Sequence, residues 1–164
     1  MKIEKAAIED APLILALQKL AYLSEAQIHN DFSIQPLTQT LEDLKGEFKS
    51  RDVFKTVRGK GLVGSVRTIV SDGTCYVGKL IVHPAYRNQG IGSALMNHVE
   101  SYNVAAQRFE LFTGHLSVRN LSLYERLGYR EFRREKANDK LTLVFLEKLR
   151  AIQQSEPSQG RNSK

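Results

Sequence analysis

A mixed α/β fold, with a mostly antiparallel seven-stranded sheet flanked by about four helices, is predicted by three features of this 164-residue chain. Apolar periodicity alternates between the two-residue repeat of strands and the three-to-four-residue repeat of helices, in the order βααβββαβαββ. An Asp72-Gly73 pair between two apolar runs is the strongest short hairpin signal in the chain. A strand, a helix and a strand follow one another in the middle, which demands one parallel crossover inside an otherwise antiparallel sheet.

The elements follow in order. Met1 to Ile8 reads as a first strand, and Asp10 caps a helix that tolerates Pro12 in its first turn. Leu13, Leu17, Leu20 and Tyr22 form the expected apolar face of that helix, which runs to Leu23. Ser24 to Gln39 shows no clean period and is expected to be mostly loop. Thr40 to Ser50 forms a second helix on Leu41, Leu44 and Phe48. Strands are expected at Val53 to Arg58, Leu62 to Val70 and Cys75 to Val82, the last ended by Pro84. Gly90 to Tyr102 is helical in pattern, with Ile91, Leu95, Val99 and Tyr102 on one face. Phe109 to Thr113 is a short buried strand, and Ser117 caps a helix that Gly128 terminates. Tyr129 to Arg134 and Leu141 to Leu146 close the sheet as a hairpin.

A 41% hydrophobic and 26% charged chain of this length is one domain with a real core. Residues 1–147 are assigned to that domain, and 148–164 to a basic, frayed tail too poor in apolar residues to offset ordering. The lone Cys75 forms no internal disulfide and supplies no zinc cluster, so a reducing, cytoplasmic setting and no metal are expected. It reads best as a small apolar filler in a strand. The longest apolar run, Leu13 to Leu17, is too short to cross a bilayer, and Lys2, Glu4, Lys5, Glu9 and Asp10 stand where a signal peptide needs apolar residues. No membrane partner is expected.

The net charge of +6 is unevenly spread. Residues 1–50 carry five basic and eight acidic side chains, whereas 51–147 carry fifteen and nine. No nucleic-acid recognition motif accompanies the excess, so nucleic acid is not expected as a partner. An anionic ligand on the later part and a cationic one near the start fit this distribution.

The stretch Leu80 to Ser93 is a buried strand, a short loop and a glycine-punctuated helix start. A helix start exposes unpaired N–H groups and the positive end of the helix dipole, which bind phosphate. Gly90 and Gly92 leave those groups uncovered, and Arg87 adds a positive charge beside them. A tight structural turn is the other reading of the same glycines. A dinucleotide fingerprint would need glycine where Leu95 stands, and Gly78-Lys79 is followed by Leu80 rather than the Ser or Thr of a Walker A loop. Asn120 and Tyr124 lie four apart and so face the same way on their helix, as catalytic groups or as a solvated asparagine and a core tyrosine.

The run Arg87-Asn88-Gln89-Gly90-Ile91-Gly92, preceded by Leu80-Ile81-Val82-His83-Pro84, resembles the acetyl-CoA signature of the GNAT N-acetyltransferases. Asn120 to Tyr129 is similar to that family's second landmark, an asparagine and tyrosine helix ending in Gly-Tyr. The resemblance implies an acyl-CoA N-acyltransferase fold with splayed fourth and fifth strands. It implies acetyl-CoA as cosubstrate, its pantetheine arm on the backbone of Leu80, Ile81 and Val82 and its pyrophosphate on Arg87, Asn88, Gln89, Gly90, Ile91, Gly92 and Ser93. Asn120 would contact the pantetheine end, Tyr124 would serve as general acid at the cofactor, and an N–H near Leu80 would stabilise the oxyanion. The reaction is then direct attack by a primary amine, small-molecule or peptidyl, on the thioester in a ternary complex. The family's usual strand glutamate is replaced here by Tyr76. The base is therefore open among His115, Glu25, Asp31 and a water chain, with Glu25 and Asp31 also candidates for acceptor binding. That missing carboxylate motivates the alternative of a non-catalytic acyl-CoA binding or sensing domain. A homodimer is compatible with the sequence.

Overall fold

A computed structural model describes residues 1–151. Its sheet has the strand order β1 (Ile3–Lys5), β2 (Asp52–Arg58), β3 (Gly61–Ser71), β4 (Thr74–Val82), β5 (Arg108–Gly114), β7 (Thr142–Leu149), β6 (Arg130–Lys136). Every pairing is antiparallel except β4 with β5. The β3–β4 turn is the expected Asp72-Gly73, both residues at positive φ (49° and 78°), which matches the twist of the hairpin it joins. The frayed tail expected from residue 148 lies, from residue 152 on, outside the described residues, and Lys148 and Leu149 belong to β7.

Among the described residues five helices flank the sheet: α1 (Ala11–His29), α2 (Gln35–Thr38), α3 (Leu41–Glu47), α4 (Ile91–Tyr102) and α5 (Val118–Arg126). On one face, Ala11 and Ile14 of α1 and Leu44 of α3 pack on Val53. On the other, Ile91, Leu95, Met96 and Val99 of α4 join Tyr124 of α5 in a core with Phe54, Val66, Phe109 and Val144 from the strands. Burying apolar side chains of this size contributes roughly 1.5–3 kcal/mol each, so these two clusters carry the fold. Edge strand β6 is exposed throughout and carries Arg130, Glu131, Arg133, Arg134, Glu135 and Lys136, charges that discourage pairing with a further chain.

Two expectations are corrected. Ser24 to Gln39 is not mostly loop: α1 continues to His29, capped by Asn30 in the left-handed region (φ 50°), and α2 adds one turn. The buried face of α1 consists of Ala11, Ile14, Leu17, Gln18, Ala21, Ala26 and His29, whereas Leu13, Leu20 and Leu23 are exposed. Small and polar residues hold the helical period here, so a search for large apolar side chains follows the wrong stripe and stops a turn too soon. The first strand is also shorter than expected, because a single 3-10 turn at Ile8–Asp10 precedes α1.

β4 and β5 pair over only three positions, Thr74 with Arg108, Cys75 with Phe109 and Tyr76 with Glu110. Beyond Tyr76 the strands part, which opens the sheet at its centre. A bulge lies in the open part of β4. Ser65 pairs with Ile81 and Arg67 with Gly78, so the register skips Lys79 and Leu80. Lys79 takes φ 52° there, the left-handed conformation that lets one extra residue re-aim the side chains around it.

Candidate active site

Where β4 leaves β5, two cavities meet. The smaller, about 310 Å³, is a trough between α4, α5 and the end of α1. Leu80, Ile81 and Val82 form one wall, and Arg87, Asn88, Gly90, Ile91, Gly92 and Ser93 form its end. Asn88 (φ 61°) and Gly90 (φ 80°) turn the chain sharply into α4, so the N–H groups of its first turn face outward without helical partners. The two glycines act differently. A Cβ on Gly90 would meet nothing within 4 Å, and it is the backbone angle that requires glycine. A Cβ on Gly92 would lie 3.3 Å from Leu123 Cδ2, so that glycine also lets α4 approach α5.

Arg87 does not stand free. Its Nη2 donates to the Ala21 carbonyl at 3.0 Å and to Ser24 Oγ at 3.1 Å, tying the loop to α1. Burial, and then the nearby Arg119, lower its pKa, with Glu25 opposing. Arg119 and Arg126, which the sequence reading missed, also line the trough. Three guanidinium groups and an uncovered helix start fit a diphosphate that would neutralise them. Gln89 is absent from the lining, because its Oε1 accepts from Arg58 Nη1. The Ile91 side chain is 1% exposed, so this residue offers the trough mainly backbone.

The larger cavity, about 680 Å³, lies on the β5 side and shares Tyr22, Glu25, Leu80 and Asn120 with the trough. Tyr124 lines this cavity rather than the trough. Burial, with Tyr22 and Glu25 close by, pushes its phenol well above the ordinary tyrosine value, so it stays protonated at neutral pH. Asn120 Nδ2 donates to Thr113 Oγ1 at 3.3 Å, which fixes α5 against β5.

The base candidates separate. His115 lines neither cavity. Its Nδ1 accepts from the Thr142 N–H at 3.0 Å, so the ring is held against β7. Asp31 lines the larger cavity but works as a clasp: Oδ1 accepts from Ser33 N and Oγ, and Oδ2 accepts from Asn138 Nδ2 at 2.8 Å. Those bonds hold its carboxyl below the usual carboxylate range. Glu25 stands where the cavities join, and its Oε1 accepts from Ser117 Oγ at 2.7 Å. Ser117, expected as a side-chain cap for α5, spends its hydroxyl on this contact instead.

His29 lies 4.0 Å from Glu25 Oε2 through Nδ1, but the same nitrogen is 2.9 Å from the Glu25 carbonyl, and Nε2 accepts from the Leu116 N–H at 3.2 Å. With Nε2 accepting, the ring is the neutral tautomer that donates from Nδ1, so this contact is not an ion pair. Cys75 is fully buried, its thiol pushed up to about 12 by burial, which suits packing rather than nucleophilic work. Among the described residues no three His, Cys, Asp or Glu side chains gather as a metal group, and no helix is long and apolar enough to cross a membrane.

Comparison with known proteins bears on this geometry. Residues 49–131 match the model of the acetyltransferase (GNAT) domain. The UPF0157 protein YqkA of Bacillus subtilis is 30% identical over 131 residues, which is 79% of this chain, and the chain spans only 37% of that relative's length. Among solved structures, a ribosomal-protein-alanine N-acetyltransferase from Brucella melitensis superposes with a TM-score of 0.71 at 18% identity, covering 91% of this chain and 99% of the other. The protein smu.2055 of Streptococcus mutans gives 0.76 at 14% identity, covering 91% and 99%. An aminoglycoside 6'-N-acetyltransferase complexed with coenzyme A gives 0.70 at 17% identity, covering 91% and 97%.

Proposed function

Because the chain belongs to the GNAT acetyltransferase family, we propose that it transfers the acetyl group of acetyl-CoA to a primary amine by direct attack in a ternary complex. The observation that carries this reading is the parting of β4 from β5. It opens an anion-seeking trough on one side and a roomy cavity on the other, which meet at Tyr22, Glu25, Leu80 and Asn120. Acetyl-CoA would supply an activated acyl carbon and a thiol leaving group. Its diphosphate fits the N–H groups of the first turn of α4 together with Arg87, Arg119 and Arg126. Its pantetheine arm fits the open edge of β4.

In this reading the C–N bond forms as the C–S bond breaks. The bulge leaves the N–H near Leu80 outside the β3 register, free to stabilise negative charge developing on the carbonyl oxygen. Tyr124 donates its proton to the departing sulfur and is reprotonated by the second proton that the nitrogen sheds as the amide forms. Glu25 draws the acceptor's ammonium group and takes its proton, directly or through water. The carboxylate missing from β4 is in this way supplied by α1. A cytoplasmic location suits the free thiol of Cys75.

The decisive assay mixes the protein with acetyl-CoA and pooled amines, follows free thiol, and identifies the acetylated product by mass spectrometry. Thiol release above background supports transfer. Binding of acetyl-CoA with no release across a broad amine panel would instead favour the non-catalytic binding reading. Replacing Arg119 or Arg126 by Ala is expected to weaken acetyl-CoA binding by about ten-fold each and to flatten its salt dependence, since each removes one charge-assisted contact with phosphate. Titrations at two salt concentrations check this.

A further inference from the structure

Arg67 sits in the middle of β3, 1% exposed, and lines the larger cavity. Its Nη2 donates to Gln18 Oε1, and Gln18 is fixed in turn because its Nε2 donates to the Pro36 carbonyl and to Gln39 Oε1, both at 2.9 Å. The other two guanidinium nitrogens, Nε and Nη1, have no hydrogen-bond partner. Nη1 is 3.0 Å from Glu47 Oε2, but the two are misaligned, and that carboxylate oxygen is also without a hydrogen bond. The ion pair with Glu47 offsets part of the cost of burying this guanidinium, and its positive charge is felt in the cavity it lines.

Two further cations line the same part of the cavity. Arg51 reaches Glu47 only at 3.9 Å, and the bulge in β4 brings in Lys79. One carboxylate thus faces three positive charges. Burial pushes the Lys79 ammonium down to about 8, with Arg67 and Arg51 adding to the fall and Glu47 opposing it. The remaining acids of the cavity are engaged elsewhere: Glu110 with Arg108 at 2.8 Å, Asp31 with Ser33 and Asn138, and Glu25 with Ser117 across the cavity. Tyr22 lines both cavities, and burial, with Glu25 nearby, raises its phenol above the ordinary tyrosine value.

We propose that the acceptor is an amine that also carries a carboxylate, the carboxylate docking on Arg67, Lys79 and Arg51 while the amine faces Glu25. This names the substrate class within the transferase reading above and rests on it: amino acids rather than polyamines or neutral amines. A docked carboxylate supplies the counter-charge that Glu47 alone does not, which makes the cavity select for charge as well as shape.

The test uses the full chain saturated with coenzyme A. A panel of N-acetyl-amino acids is titrated against the corresponding N-acetyl-amino acid methylamides, with wild type, Arg67→Met and Lys79→Met. At least one N-acetyl-amino acid is expected to bind about ten-fold or more tightly than its methylamide. Both substitutions are expected to erase that preference while coenzyme A affinity stays at the wild-type level. Lys79→Met serves alone if Arg67→Met fails to fold. No carboxylate preference across the panel, or a preference that survives in every folded variant, overturns the proposal. Thiol release from acetyl-CoA is then measured with the free amino acids and their methylamides. Selective carboxylate binding without any release defeats the transferase reading and leaves the anion site standing. Equal release from both series defeats the anion site alone.

Discussion

Tyr124→Phe is expected to lower kcat by about 10²–10⁴-fold while leaving the affinity for acetyl-CoA nearly unchanged. The substitution removes one oxygen from a side chain that is already 6% exposed and packed beside Tyr129, so the core loses nothing else. Burial, together with Tyr22 and Glu25, holds the phenol protonated far above neutral pH. It therefore reaches the leaving sulfur as a donor. A thiolate in water, near pKa ~8.5, would be a poor match for so weak an acid, but a thiolate expelled into the same desolvated cleft is raised as well. Desolvation of the departing thiolate narrows the gap between the two groups. Pre-steady-state thiol release measured beside equilibrium binding checks the prediction. A matched fall in rate and in acetyl-CoA affinity would make Tyr124 a binding group instead.

How much of this was legible in the sequence depended on how each residue earns its place. The glycine turn, the Asp72-Gly73 hairpin and the Asn120 to Tyr124 pair announce themselves because backbone angles and helical spacing are local properties. Glu25 was visible as a carboxylate, but its position at the junction depends on α1 continuing past Leu23, which small and polar residues such as Ala26 and His29 conceal. Gln89 and His115 carry suitable chemistry and are drawn off by partners far along the chain, Arg58 and Thr142. Arg67 and Lys79 were the most informative omissions. A charged residue inside a central strand was the available signal, since such a position is costly without a partner. The bulge that turns Lys79 into the cavity arises from strand register and leaves no motif.

Gly114→Ala is expected to destabilise the fold by about 2–4 kcal/mol, lowering Tm by about 5–15 °C. A Cβ on Gly114 would stand 2.4 Å from His29 Cε1 and 2.5 Å from its Nε2. That ring cannot swing aside cheaply, because Nδ1 is held by the Glu25 carbonyl and Nε2 by the Leu116 N–H. Moving it breaks both bonds and orphans a buried donor, which adds to the overpacking itself. The damage also reaches the site, since the same turn of α1 carries Glu25 and the same loop carries Ser117. Removing the obstacle tests the cause. In a His29→Ala background the two contacts under 3 Å are gone, and the next nearest atom is Cδ1 of the flexible Leu141 side chain at 3.2 Å. The Gly114 backbone lies outside the left-handed region, so Gly114→Ala should turn neutral or slightly stabilising through the reduced freedom of the unfolded chain. Thermal unfolding of the four proteins of this cycle gives the coupling directly. An equal cost of Gly114→Ala in both backgrounds would show that its defect lies somewhere other than the His29 ring.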